Sequence, residues 1–186
     1  MFEIVAQLLL HKQLKFEEGK IKLLEQNVVF FPFENLFSIQ KILEDSKKTY
    51  ELYLSSKELG KNWIKSLLKS YKMDTIKAQS EWGEKVFTLA GMGKMKVITW
   101  DTKKSLMIYR AYDSIMAKYY GNTGHCVCHI PRGWFAGASC IFFKKDVDAV
   151  ETKCMSKGDD FCEFLIKPKN SFNFKDKEIK KQLKSI

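Results

Sequence analysis

An α+β fold, with antiparallel hairpins packed against several helices, is the class that this sequence predicts. Three observations support it. Short apolar stretches pair across glycine turns near both ends of the chain, segments with helical spacing lie between them, and strands and helices do not alternate regularly. The 186 residues suffice for one domain with a sizeable core, and no long Pro/Gly/Ser linker divides them.

The first half of the chain is predicted to be mainly helical. Apolar residues from Ile4 to Leu10 indicate an N-terminal helix, and residues 14–31 alternate between apolar runs and turn residues, as in a hairpin. Pro32 is typical of a helix start. Three-to-four spacing of apolar residues predicts a longer helix from about Thr49 to Tyr71, and Asp74 can cap a third helix.

The second half is predicted to contain two hairpins with helices between them. Gly91-Met92-Gly93 ends the preceding helix. The elements expected after it are a hairpin of KMKVITW and SLMIYRAY, a helix capped by Asp113 that runs through Tyr120, a helix PRGWFAGASCIFF with Pro131 in its first turn, and a last hairpin of DAVETKCMS and DFCEFLIK that turns at Gly158.

Positive charge is concentrated at the C-terminal end. The net charge is +10, and residues 167–186 contain seven lysines and two acids, so this segment alone contributes +5. A basic balance permits binding to nucleic acid but does not indicate it. Because no base-reading motif accompanies the lysines, a nucleic-acid partner is not expected. We predict one ligand-binding domain over 1–167 and a lysine-rich tail or helix over 168–186.

The sequence gives no sign of membrane insertion or export. It contains no apolar run of about 18 residues or more. The apolar N-terminal stretch has no preceding basic region, is interrupted by Glu3, and is not followed by a small-residue cleavage site. We therefore expect a cytoplasmic protein with no transmembrane segment.

All five cysteines lie within residues 126–162. An odd number in a cytoplasmic protein argues against a pure disulfide framework. If the last hairpin turns symmetrically about Gly158, Cys154 and Cys162 lie opposite each other, which suits a shared zinc ion, a disulfide or two buried thiols. Glu151, three residues before Cys154, can reach the same metal only if the strand bulges between them.

The stretch ETKCMSKGDDFCEF, residues 151–164, resembles the closing motif of the 4-vinyl-reductase domain family. The preceding helix, with Gly133-Trp134-Phe135-Ala136-Gly137, is similar to the glycine-and-aromatic helix of that family. The resemblance covers most of residues 14–167 and is specific at residues 128–164. It implies an α+β ligand-binding domain, usually dimeric, whose fold is related to haem nitric-oxide sensors and to subunits of the Golgi transport tether.

The resemblance also implies a metal site. In aromatic-responsive sensors of this family, three cysteines and a glutamate hold zinc, and the matching residues here are Cys128, Glu151, Cys154 and Cys162. Such a closed four-ligand shell would give zinc a structural role. Cys126 and His129 are the alternatives to Cys128 as the first ligand.

Candidate ligand-binding residues lie on the same helix and on the middle hairpin. Gly133 and Gly137, spaced i, i+4, leave a bare helix face that permits close approach of another backbone or of a ligand. Aromatic side chains at helical or strand spacing most often belong to a core. The family, however, has its ligand cavity between sheet and helices, which makes Trp100, Tyr109 and Trp134 candidate wall residues.

The function predicted is binding or sensing of a small, largely apolar or aromatic ligand by a homodimeric module with structural zinc. The alternative is an enzyme or accessory factor of tetrapyrrole or related cofactor metabolism, and it rests on the family resemblance alone. The sequence has three histidines and no Ser/His/Asp set, phosphate-binding glycine loop or dinucleotide fingerprint. We therefore assign no catalytic residue, and an enzyme is the less favoured class.

Overall fold

The computed structural model describes residues 2–10, 12–23, 26–70 and 75–183. Within these ranges no helix is long and apolar enough to cross a membrane. The helices and strands, numbered in chain order, are α1 Phe2–Leu10, β1 Leu14–Glu17, β2 Lys20–Leu23, β3 Gln26–Val28, α2 Phe33–Asp45, α3 Thr49–Ser70, α4 Ile76–Leu89, β4 Lys94–Asp101, β5 Leu106–Tyr112, α5 Ile115–Tyr120, α6 His129–Phe143, β6 Asp148–Lys153, β7 Cys162–Lys167 and α7 Lys177–Leu183.

Two antiparallel sheets confirm the predicted α+β class. The smaller sheet has the order β1-β2-β3, and the larger one has the order β4-β5-β7-β6. Alternate residues of β5 and β7 face the core, as period-two strands require. The buried ones on these two strands are Met107, Tyr109, Ala111, Cys162, Phe164 and Ile166.

Helix α6 lies between the larger sheet and helix α3. Phe135 projects from α6 onto the sheet, where its ring lies 4.6 Å from that of Tyr109 and 4.9 Å from that of Phe164. On its other side, α6 approaches the backbone of α3. A Cβ added at Gly133 or Gly137 would overlap the carbonyl oxygen of Tyr53 or of Lys57, respectively. These two glycines therefore serve helix packing, and their predicted place in a ligand pocket is not where the structure puts them.

Replacing Gly137 by alanine is expected to lower the free energy of unfolding by about 1–3 kcal/mol, as overpacking does. The new methyl group would stand 2.8 Å from the backbone nitrogen of Lys61 and closer still to the Lys57 oxygen. Both are backbone atoms, so neither can rotate away. Urea unfolding followed by circular dichroism measures the change.

Gly83→Ala is the matched control for this substitution. Gly83 is also inside a helix, but an added Cβ there meets only the Met95 side chain at an ordinary 3.5 Å. Helix propensity alone then favours alanine by about 1 kcal/mol. Equal destabilisation by the two variants would contradict the packing role of Gly137.

A buried ionic group joins α3 to the start of β6. Lys57 Nζ lies 2.8 Å from Asp148 Oδ1 and 3.0 Å from Asp146 Oδ1. The Tyr53 hydroxyl donates to Asp148 at 2.7 Å and accepts from the Ala149 N–H at 3.1 Å. Each of the three buried side chains in this group thus has a polar partner, as burial demands.

Some predicted helix ends differ by a residue or two. Ser114 caps α5 by accepting the Ala117 N–H, whereas Asp113, the predicted cap, precedes the helix with φ 56°. Thr75 caps α4; the predicted cap Asp74 lies outside the described residues. Helix α6 begins at His129, so Pro131 does fall in its first turn.

Candidate metal centre and inner cavity

Four side chains from three separate segments converge beneath the larger sheet. Cys128 is the N-cap residue of α6, Glu151 lies in β6, Cys154 follows β6, and Cys162 begins β7. Their sulfur and carboxylate oxygen atoms all lie within 4.8 Å of one another. All four are at most 3% exposed. The structure thus brings together the four residues that the family resemblance indicated, in a group that could hold a metal ion.

A β-bulge makes this convergence possible. The pairing of β6 with β7 shifts from Glu151↔Phe164 to Lys153↔Glu163, so one extra residue, Thr152, stands in β6. The extra residue turns Glu151 and Cys154 toward the same side, as the sequence analysis required for a shared metal.

Cys154 and Cys162 do not form the predicted cross-strand pair. Cys162 pairs with Ala111 of β5, and Cys154 lies beyond the last paired residue of β6. A 3₁₀ turn over Met155–Lys157, closed by Gly158 at φ 97°, still returns the chain so that the two sulfurs are 3.9 Å apart. The hairpin is longer on one side because the bulge and turn break its symmetry.

Backbone amides and a carboxylate hold these groups in place. The Cys128 N–H donates to Glu151 Oε2 at 3.0 Å, and the Met155 N–H donates to the Cys162 sulfur at 3.4 Å. The Cys154 N–H donates to Asp159 Oδ2 at 2.8 Å. Asp159 looked like a solvated turn residue in the sequence; its side chain in fact fixes the turn that carries Cys154.

The spacing of the sulfurs fits a tetrahedral metal ion. Cys128 and Cys162 sulfurs are 3.6 Å apart, and Cys162 and Cys154 sulfurs are 3.9 Å apart. In a zinc site with Zn–S bonds of about 2.3 Å, tetrahedral geometry separates the sulfurs by about 3.8 Å. All five cysteines are free thiols, so none of these contacts is a disulfide. Glu151 Oε1, which is buried, has no hydrogen-bond partner among the described residues.

The electrostatics of the four acids also favour a cation. Burial and the neighbouring Cys154 raise the pKa of Glu151 well above its ordinary value. Hydrogen bonds to Cys154 and Cys162, together with burial, raise the pKa of Cys128. Hydrogen bonds from Cys126, Cys128 and Cys162 lower the pKa of Cys154. Mutual repulsion therefore opposes ionisation of all four groups, and a divalent cation is the species that would remove it.

Two residues that the sequence analysis missed support Glu151 from behind. The Gln182 side chain, from α7, accepts the Glu151 N–H at 2.7 Å and donates to the Glu151 carbonyl at 2.9 Å. The buried Arg132 donates from Nη1 to the Ala149 and Gln182 carbonyls and stacks on the Tyr53 ring at 4.1 Å. The lysine-rich C-terminal helix is thus bonded directly to the strand that carries Glu151.

The alternative first ligands lie near the cluster but outside it. The Cys126 sulfur donates to the Glu151 carbonyl at 3.5 Å and interacts with the Cys154 thiol. His129 Nε2 lies 3.2 Å from Glu44 Oε1. Cys126 and His129 line an open cavity of about 410 Å³, together with Glu44 and His125.

A second, enclosed cavity lies between α4, α6 and the larger sheet. Trp100, Tyr109 and Trp134, the three predicted aromatic wall residues, all line it, and Ala138 lies in the same wall. Its free volume is about 10 Å³, which is room for about one water. The buried Trp100 Nε1 has no hydrogen-bond partner among the described residues. Gly133 and Gly137 are not part of this cavity.

The cysteine-rich hairpin and the helix before it are those of a vinyl-4-reductase domain. Residues 107–168 match the model of this domain family, which confirms the resemblance to 4-vinyl-reductase domains that the sequence indicated. The matched segment includes helix α6 and all four residues of the cluster.

Known proteins similar to this chain extend the comparison. The uncharacterized protein MJ0150 of Methanocaldococcus jannaschii is 36% identical over 78 residues, which are 42% of this chain and 44% of that protein. The match thus spans less than half of this curated relative.

Two solved structures share the fold. The phenol-responsive sensory domain of the transcription activator PoxR, solved with phenol, aligns over 92% of each chain with a TM-score of 0.77 and 18% identity. A trafficking protein particle complex subunit 3 from Naegleria fowleri, covalently bound to palmitic acid, aligns over 73% of this chain and 92% of that one, with a TM-score of 0.54 and 15% identity. At these identities the likeness establishes the fold alone.

Proposed function

We propose that this chain is a binding module for a small, apolar or aromatic ligand, with a structural zinc ion at Cys128, Glu151, Cys154 and Cys162. The observation that carries the ligand proposal is the inner cavity, whose apolar wall contains one unpartnered donor, Trp100 Nε1. Ligand pockets are typically apolar with a few orienting polar groups. The fold shared with a phenol-responsive sensory domain supports the same function.

Ligand binding must enlarge this cavity, because an aromatic ring needs far more room than one water. Helix α4 forms one wall, through Gln79, Ser80 and Gly83. Glu84 Oε1 ties α4 to the sheet by accepting the Val97 N–H at 3.1 Å, in the part of β4 where the register shifts. We propose that α4 moves outward when the ligand enters.

The zinc proposal assigns the metal a fixed structural role. Three thiolates and one carboxylate would complete its shell and leave no open position for substrate. When bound, the ion supplies charge neutralisation and joins the start of α6 to the last hairpin. The residues of the cluster then hold α6, which carries Trp134 and Ala138 of the cavity wall.

Exposed apolar side chains support the homodimer that the family resemblance implies. Phe16 on the small sheet and Val29 and Phe30 beyond it are each more than half exposed, with Phe30 at 76%. Such a patch is typical of a surface that another chain covers. Light scattering on the purified protein should give twice the mass of the chain.

Calorimetric titration with phenol and toluene tests the ligand proposal. We expect binding of both, and Trp100→Phe should weaken phenol by about tenfold, the equivalent of one hydrogen bond, while toluene affinity stays unchanged. Ala138→Leu, which fills the cavity, should abolish both. If neither these probes nor a broader panel of aromatic compounds binds the native chain, the proposed function is wrong.

Trp63→Phe is the matched control for the tryptophan substitution. Trp63 Nε1 is also buried without a partner among the described residues, but Trp63 does not line the inner cavity. The control should therefore leave both affinities unchanged. Equal weakening by both substitutions would assign the effect to general loosening of the core.

A further inference from the structure

A metal held by the four-residue cluster needs a route through the protein. Cys128, Cys154 and Cys162 are 0% exposed and Glu151 is 3% exposed. None of the four lines the open cavity of about 410 Å³ beside α6. An ion with a completed shell at this place has no direct contact with solvent, so another side chain must mediate its exchange.

Cys126 is the residue that joins the cavity to the cluster. It is the one thiol of the five that lines the cavity, and it is 9% exposed. Its sulfur also reaches the cluster, through the Cys154 thiol and the Glu151 carbonyl 3.5 Å away. A single side chain therefore has solvent on one side and a cluster residue on the other.

The cavity offers further groups that bind soft or borderline divalent cations. His125, His129 and Glu44 line it together with Cys126. Lys41, Lys47, Lys181 and Arg132 line it as well, so its charge is mixed, and Asp45 and Glu178 partly offset them. A strongly acidic funnel is absent from this wall; the thiol and the imidazoles, rather than bulk charge, would attract the metal.

We propose that Cys126 is a transient metal ligand through which zinc enters and leaves the buried cluster. This inference rests on the proposed zinc site and adds a fifth thiol that is not part of the resting shell. In the release direction, the Cys126 sulfur forms a bond to zinc as the neighbouring Cys154 sulfur dissociates. The proton of the Cys126 thiol passes to the departing Cys154 thiolate, so the number of metal–ligand bonds and the charge of the site stay constant. The ion then passes to the histidines and to water in the cavity.

The unpartnered Glu151 Oε1 supports this arrangement independently. It is buried inside the cluster without a hydrogen-bond partner among the described residues, so it is free for a cation. Because Glu151 Oε2 already accepts the Cys128 N–H, this carboxylate has little freedom to follow a departing ion. Exchange by way of Glu151 is thus less favoured than exchange by way of Cys126.

The test is the rate of zinc exchange in Cys126→Ser compared with the native chain. The zinc-bound protein is mixed with an excess of isotopically labelled zinc, and incorporation and total zinc per chain are followed by plasma mass spectrometry. We expect one zinc per chain in both proteins and about a tenfold slower exchange in the variant, a change of the size that residues next to metal ligands produce. Cys140→Ser is the control, since Cys140 is also buried but contacts Asp146 and Val147 away from the cluster.

The other outcomes separate the inference from the proposed function. Unchanged exchange with one zinc per chain would overturn the role of Cys126 and leave the zinc site intact. Loss of zinc in Cys126→Ser alone would make Cys126 a resident ligand and also overturn the inference. A native chain that binds no zinc would overturn both.

Discussion

Replacing Cys154 by serine is expected to eliminate metal binding and to lower the free energy of unfolding by more than about 4 kcal/mol, the stabilisation given by a ligand present at a thousand times its Kd. Cys154 has the lowered thiol pKa of the cluster and stands between β6 and the turn to β7. Without its sulfur the shell is incomplete, and three buried acids remain crowded together. Thermal unfolding with and without a chelator, beside zinc content, measures the effect.

Chelation supplies the internal comparison for this prediction. A chelator should lower the Tm of the native chain toward that of Cys154→Ser and should not change the Tm of the variant further. Cys140→Ser, outside the cluster, should keep its metal and its response to the chelator. A native Tm that is insensitive to prolonged chelation would show that no stabilising metal is bound.

Replacing Lys57 by methionine is expected to lower the free energy of unfolding by about 3–5 kcal/mol, because it leaves the buried Asp148 carboxylate without its cation. Lys57 and Asp148 side chains are 8% and 6% exposed. Burial lowers the pKa of Lys57, but the hydrogen bond to Asp148 outweighs it and the net pKa is raised. A raised lysine pKa means that the pair stabilises the fold at neutral pH, and that this contribution is lost as the pH rises through the folded-state pKa.

Lys61→Met provides the control one helical turn further along α3. Lys61 pairs with Glu58, whose side chain is 59% exposed, and such surface pairs contribute about 0–1 kcal/mol. In the double variant Lys57→Met/Asp148→Asn, much of the lost stability should return, since no unpaired charge remains. Additive effects of the two single substitutions would contradict a direct coupling between Lys57 and Asp148.

Local pattern predicted most elements of this fold and the members of the sulfur cluster. Turn residues and helical spacing located the hairpins and the starts of α2 and α6 because these signals act within a few residues. The predicted bulge between Glu151 and Cys154 is present because two ligands three residues apart in a strand have no other way to share a side.

Features that depend on distant contacts could not be predicted. The i, i+4 glycines of α6 fit either a ligand or a helix neighbour, and only the position of α3 decides for the helix. Gln182 lies 31 residues from Glu151, and nothing in its local sequence indicates that it bonds there. The size of the inner cavity depends on side chains from three elements, so the sequence indicated three wall residues but not the narrow space between them.

The attachment of Gln182 to both backbone groups of Glu151 has a mechanical consequence. Tension applied beyond α7, by a fused domain or a surface tether, would act on these two hydrogen bonds before it reached the central strands β5 and β7. The C-terminal helix would work as a short lever on the sulfur cluster. Immobilisation through this end would therefore perturb the cluster, whereas a tether placed on the α1 side would leave it unloaded.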